Sequence, residues 1–271
     1  MTKSNLIYDI RTSEYAQQTL ANLTGVPISI WKQYSNRKNE YEYTENLVAD
    51  VVNSYGYLPN NYMDFDFICF HVTTSANECL SFRKNGILDL KQSYMCCDSE
   101  LRQFLENHDI HIQLDNKILT YHNKVYDITY RKCPRNDIKN YKCWSIGRKF
   151  YFDYTICGFL SVRKPYPYLG YVHKRPEILK NIDDLLGLNL SKEWESIHKP
   201  YEITVKINGQ KIVYCGDDTD TSDDKVINYL TKAYHNAFNE PSEEEILMKN
   251  HVKIPSSDII DISSLQCWKL D

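Results

Sequence analysis

The apolar run Phe67-Ile68-Cys69-Phe70 passes straight into His71-Val72-Thr73-Thr74. A short run rich in aromatic and β-branched residues suits a buried strand rather than a helix. Leu58-Pro59-Asn60-Asn61 breaks whatever precedes it. Residues 75–86 read as a helix stopped by Asn85-Gly86. Near the other end of the chain, Ser242-Glu243-Glu244-Glu245 leads into Ile246-Leu247-Met248, a second apolar strand with a carboxylate at its head. Asp258-Ile259-Ile260-Asp261-Ile262 reads as the last strand. A strand ending in His-x-Thr and a late strand opening on Glu can share a buried sheet only if the chain between them folds back.

The remaining segments fill in that frame. Residues 10–55 read as helical, with Leu20, Leu23 and Val26 at helical intervals and Thr44 as a cap-like residue before Glu45–Val52. Leu20–Trp31 has the rhythm of a helix-turn-helix or of an ordinary helical hairpin. Residues 98–108 read as a helix, and residues 109–130 as short hairpin strands with turns at Asp115-Asn116 and Asn123-Lys124. Pro176 opens a helix through Ile182, and Asp223–Phe238 is another. Asn208-Gly209 between Tyr201–Ile207 and Gln210–Tyr214 predicts a hairpin. Helices first, then strands with helices set between them, imply an α+β fold. The expected division is an N-terminal helical segment over 1–60 and a catalytic domain over 61–271.

In a chain of 271 residues, 42% hydrophobic and 25% charged residues argue against disorder. The N-terminus lacks the apolar core of a signal peptide, and no run approaches the roughly 18 residues of a membrane span, so a cytoplasmic location is expected. Nine cysteines, an odd number with no Cys-x-x-Cys spacing and with Cys96 and Cys97 adjacent, read as reduced thiols, and no metal site is expected. The net charge of −4 excludes a molecule that is basic all over. Residues 131–175 are the exception, with eleven Lys and Arg against Asp137 and Asp153.

His71 and Thr73 lie one strand repeat apart on one face, offering a ring nitrogen and a hydroxyl. The alternative is a core histidine beside a β-forming threonine. Glu243 and Glu245 share a face in the same way, unless the acidic run is a solvated loop. The histidine strand with its Asn-Gly-stopped helix, and the late glutamate strand followed by Val252-Lys253-Ile254-Pro255, resemble the ADP-ribosyltransferases. Among these the chain is most similar to bacterial toxins of toxin–antitoxin and anti-phage systems that modify nucleic acid. The resemblance covers residues 65–265 and is specific at its two ends.

What it implies is a split β-sheet core with inserted helices and NAD as co-substrate. His71 would contact a ribose hydroxyl, with Thr73 beside it. Glu245 would be the catalytic carboxylate and Glu243 would help place the acceptor. Lys149-Phe150-Tyr151-Phe152-Asp153 resembles the Gly-Ile-Tyr-Phe-Ala-Asp segment of poly-ADP-ribose polymerases, with Arg148 where that segment is preceded by glycine. Tyr151 would then stack on nicotinamide from a middle strand, with Tyr154 as the alternative.

The basic stretch interleaves cations with aromatics, the combination that single-stranded nucleic acid needs. Arg131, Lys132, Arg135, Lys142, Trp144 and Arg148 are the candidate contacts. The expected function is an NAD-dependent ADP-ribosyltransferase acting on RNA or single-stranded DNA, with an antitoxin protein as a possible partner. One alternative is a transferase acting on a protein side chain, as Glu-x-Glu enzymes do on arginine. Another is a non-catalytic nucleic-acid-binding regulator.

Overall fold

The computed structural model describes residues 6–129, 132–152, 155–162, 171–239 and 241–265. It is an α+β protein with a mostly antiparallel sheet. The chain begins with β1 (Leu6–Asp9), α1 (Ser13–Thr24), α2 (Ile28–Ser35), α3 (Thr44–Tyr55) and β2 (Phe65–Ser75). Next come α4 (Leu80–Asn85), α5 (Leu90–Met95), α6 (Glu100–Glu106), β3 (Ile110–Gln113), β4 (Ile118–Tyr121) and β5 (Lys124–Asp127). Then follow α7 (Ile138–Tyr151), β6 (Cys157–Ser161), α8 (Glu177–Leu186), α9 (Leu190–Ile197), β7 (Lys199–Asn208) and β8 (Ile212–Val213). The chain closes with α10 (Ser222–Phe238), β9 (Glu244–Met248) and β10 (Ile259–Ser264).

Two compact units are assembled from separated stretches. The first takes residues 1–71, 157–166 and 204–249; the second takes 72–156, 167–203 and 250–271. The N-terminal helices thus belong to the first unit, where α1 and α3 pack on α10. Its sheet runs β7-β2-β6-β9-β8, and β1 pairs parallel with β2 through Tyr8↔Phe67. Tyr8, Phe65, Phe67 and Tyr229 form an aromatic core, and the Tyr8 hydroxyl donates to the Tyr229 carbonyl at 2.8 Å. Helix α10 starts on a capping box in which Thr221 and Asp224 exchange side-chain and backbone bonds.

In the second unit α5 to α9 surround the meander β3-β4-β5, whose Ile110, Ile112 and Leu119 point into a core with Phe104, Ile146, Phe150 and Trp194. The buried Asp183 carboxylate accepts from the backbone N–H groups of Leu190 and Ser191 at 2.7 and 3.0 Å, which begins α9. Strand β10 follows the start of β7, where the Leu265 N–H donates to the Pro200 carbonyl at 3.0 Å. Gly86 ends α4 at φ +77, against the backbone of Ile254; a Cβ there would collide with the Ile254 carbonyl.

Two sequence expectations fail here for identifiable reasons. Asn208-Gly209 makes no hairpin: β7 pairs beside β2, whereas β8 pairs with β9 through Ile212↔Met248. The Asn208 side chain accepts from Gln210 N–H at 3.1 Å and donates to Asp66 at 3.2 Å. Gly209 is needed for closeness, since a Cβ would lie 2.5 Å from the Tyr62 carbonyl oxygen. Secondly, Tyr151 is the last residue of α7 and not part of a middle strand. The apolar residues Cys143, Ile146, Gly147 and Phe150 are buried at helical spacing, which overrides the aromatic run.

Candidate active site

Strand β2 is buried along nearly its whole length, as a strand flanked on both sides must be. Its aligned partner on β6 is the pair Phe70↔Phe159, whose rings stack 5.7 Å apart. One residue further, the half-buried His71 turns its Nδ1 to the Cys157 carbonyl oxygen at 2.9 Å. A carbonyl only accepts, so Nδ1 carries the proton and Nε2 is the acceptor nitrogen. Burial pushes the imidazole pKa down, and the Cys157 hydrogen bond only partly offsets this. The ring is therefore neutral at physiological pH. Thr73 is half-buried two residues along the same strand.

Strand β9 carries the carboxylates differently from one another. Glu245 is exposed near the strand head, opposite Phe159 of β6. Glu243 is exposed just before the strand. Glu244 turns the other way: it accepts from Ser242 Oγ at 2.8 Å and pairs with Lys232 at 3.0 Å. The inward Ile246 and Met248 hold β9 in register with Gly158 and Ile212. The β6–β9 ladder shifts register between Phe159 and Ser161, immediately beside Glu245. Such an irregularity bends the strand and re-aims the neighbouring side chain.

Strands β2, β6 and β9 are consecutive in the sheet, so His71 and Glu245 stand on the two strands flanking β6. Strict alternation puts Glu245 on the face of Phe70 and Phe159, and His71 on the face of Gly158 and Ile246. The fold brings the two strands together without aligning the two side chains on one face. The aromatic ring on the middle strand is Phe159, which sequence reading missed. Its signal was the apolar run Cys157-Gly158-Phe159-Leu160, hidden inside a basic segment.

Tyr151 lies in the second unit, its hydroxyl donating to the Leu114 carbonyl at 2.8 Å; burial, reinforced by Asp115, pushes its pKa up to about 12. Tyr154 and Arg131 fall outside the described residues. Lys132 and Arg135 are exposed ahead of Asp137, which caps α7. Lys142, Trp144 and Arg148 lie on α7, with the Arg148 guanidinium 5.2 Å from the Trp144 ring and Tyr141 5.6 Å away on the same face. The neighbouring Lys149 pairs with Glu177 at 2.7 Å.

A polar cluster beyond His71 was not legible in the sequence. In the second unit, the Glu100 carboxylate accepts from Ser75 Oγ and from the Ala76 N–H, both at 2.7 Å, and meets His198 Nε2 at 3.3 Å. His198 lies flat on Trp194, with centroids 3.4 Å apart, and Trp194 Nε1 donates to Thr74 Oγ1 at 2.8 Å. Burial pushes the Glu100 pKa up, yet the bonds from His198, Ala76 and Ser75 outweigh it and the carboxyl sits below its ordinary range. The serine proton points at the carboxylate rather than at the imidazole, so this is no nucleophile–base relay. It is a clamp on the end of β2.

The described cysteines are all unbridged. Among the described residues no group of three or more His, Cys, Asp or Glu is arranged to hold a metal ion, and no helix is long and apolar enough to cross a membrane. No family model matches the chain, and no curated protein or solved structure shows a significant match to it.

Proposed function

We propose that this chain is an NAD-dependent ADP-ribosyltransferase with an ADP-ribosyltransferase-like split-sheet core. Its acceptor in this reading is RNA or single-stranded DNA, and its role is that of a toxin in a toxin–antitoxin or anti-phage system. The observation that supports it is the consecutive order β2-β6-β9, which sets the His71 strand and the Glu245 strand on either side of one short strand. Cleavage of the nicotinamide–ribose bond passes through an oxocarbenium-like state. The exposed Glu245 carboxylate supplies negative charge to that state, and such a preorganised group contributes about 10²–10³ in rate. Neutral His71, held by Cys157, offers Nε2 as an acceptor for a ribose hydroxyl, and Thr73 adds a hydroxyl along the same strand.

The opposed faces of His71 and Glu245 are compatible with one ligand only if it enters where β2 and β6 part. Among the described residues the aligned β2–β6 ladder is the single pair Phe70↔Phe159, and past it a side chain rather than a ladder partner meets Cys157. The exposed Glu243, two residues ahead of Glu245, favours a protein side chain as the second reading for the acceptor. Incubation with labelled NAD, supplied separately with RNA, DNA and lysate protein, distinguishes the cases. Nicotinamide release with label in nucleic acid supports the proposal. Label in protein alone moves the second reading ahead, and the absence of any nicotinamide release leaves a binding regulator.

A further inference from the structure

A cavity of about 500 Å³ is lined entirely by residues of the second unit. Its walls include Lys91 of α5, Leu114, Asp115 and Lys117 of the β3–β4 turn, and Tyr151 and Phe152 at the end of α7. The volume is that of an ordinary small-molecule site.

Both ammonium groups approach one ring. Lys91 Nζ is 5.8 Å and Lys117 Nζ 5.6 Å from the Tyr151 centroid. Tyr151 is locked by its bond to Leu114 and stays neutral, so its ring is a fixed platform. Among the described residues neither lysine has a carboxylate within ion-pair distance, although Asp115 lines the same cavity. The ring quadrupole compensates each ammonium only weakly, so both remain attractive to an anion entering the cavity they line. At the rim, Phe152 is 48% exposed and offers a flat apolar face. Asp115 opposes a polyanion but can accept from a sugar hydroxyl or an exocyclic amine.

We propose that this cavity binds a nucleotide unit, with one phosphate between Lys91 and Lys117 and the base against Phe152. The shared chemistry is a nucleoside monophosphate, either free or as a residue of a single strand. The proposal does not depend on the transferase reading: the titration below contains no NAD, and NAD cleavage is measured in a separate assay, so either can fail alone.

The test is calorimetric titration of the full chain with AMP, with adenosine, and with a short single-stranded oligoadenylate. AMP should bind saturably and adenosine at least about tenfold more weakly, as expected for loss of a charge-assisted contact. The double variant Lys91→Gln/Lys117→Gln should lose about tenfold or more in AMP affinity. Lys91→Arg/Lys117→Arg should keep it. Should the double glutamine variant fail to fold, Lys117→Gln alone, at an exposed position, carries the same comparison. A tighter oligoadenylate than AMP assigns the site to a strand; equal or weaker binding assigns it to the free nucleotide. The proposal is overturned by no saturable AMP binding, by equal binding of adenosine and AMP, or by glutamine variants that bind AMP like wild type.

Discussion

Phe159 of β6 stands directly opposite Glu245 of β9, one step before the ladder loses register. The pair joins a buried aromatic ring to an exposed carboxylate across two strands, and Phe159 also stacks on Phe70 of β2. The carboxylate is therefore carried opposite a packed aromatic ring, beside the register shift between Phe159 and Ser161.

Glu245→Gln keeps size and exposure, so the fold and melting temperature should stay close to wild type. Nicotinamide release from NAD should fall by about 10²–10³, the usual loss for one electrostatic stabiliser. Steady-state rates on purified protein measure this, and a variant with near wild-type turnover would remove Glu245 from the site.

His71→Ala should weaken binding of a non-hydrolysable NAD analogue by roughly 1–3 kcal/mol, and Thr73→Ala by less. The motivation is the neutral ring held by Cys157, with Nε2 as acceptor. Isothermal titration reads the affinity. If neither substitution moves it, the two residues serve the strand alone.

The depressed pKa of His71 has a signed effect on stability. The unfolded chain takes up this proton first, so folding gains stability from the neutral ring above about pH 6.5 and loses it as pH falls through the lower folded value. Thermal melts of wild type and His71→Asn at pH 7.5 and pH 5 should show the larger drop in wild type. Parallel drops in the two proteins would contradict a neutral buried ring.

Glu100→Ala should destabilise the protein by about 3 kcal/mol, because the Ser75 hydroxyl, the Ala76 N–H and His198 all lose one acceptor. Glu100→Gln keeps one carbonyl oxygen and should cost less. The lowered carboxyl pKa means that this stabilisation is present above the ordinary glutamate value near 4.3 and is lost as pH falls below it. Urea melts at pH 7 and pH 3.5 test both statements; a Glu100→Ala variant as stable as wild type at pH 7 refutes the clamp.

Reversal of Arg131, Lys132 and Arg135 to Glu should reduce label transfer to nucleic acid while sparing NAD hydrolysis. Lys132 and Arg135 are exposed, and the difference from wild type should shrink at high salt as phosphate attraction is screened. Filter binding and transfer assays across a salt series measure it. Unchanged transfer at low salt would argue for a protein acceptor.

Where local chemistry decides, the chain could be read directly. Strands β2 and β9 are apolar runs, β3 alternates buried and exposed residues, and α10 opens on its own capping box. Where partners decide, it could not. Asn208-Gly209 has hairpin chemistry, yet β2 takes β7 and β9 takes β8, so the turn joins strands that never meet. Tyr151 sits in an aromatic run that resembles a strand, but its neighbours bury at helical intervals.

The amino-acid order alone marked the apolar runs that become β2 and β9, although β2 continues past His71 to Ser75 and β9 opens on Glu244, one residue before Glu245. Only the tertiary structure decided that β6 stands between them, that Phe159 faces Glu245, and that Ser75, Glu100 and His198 converge on the end of β2. The physical reason is range. Propensity, capping and periodicity act within a turn or a strand, whereas sheet order and polar clusters form between residues that only a buried core brings together.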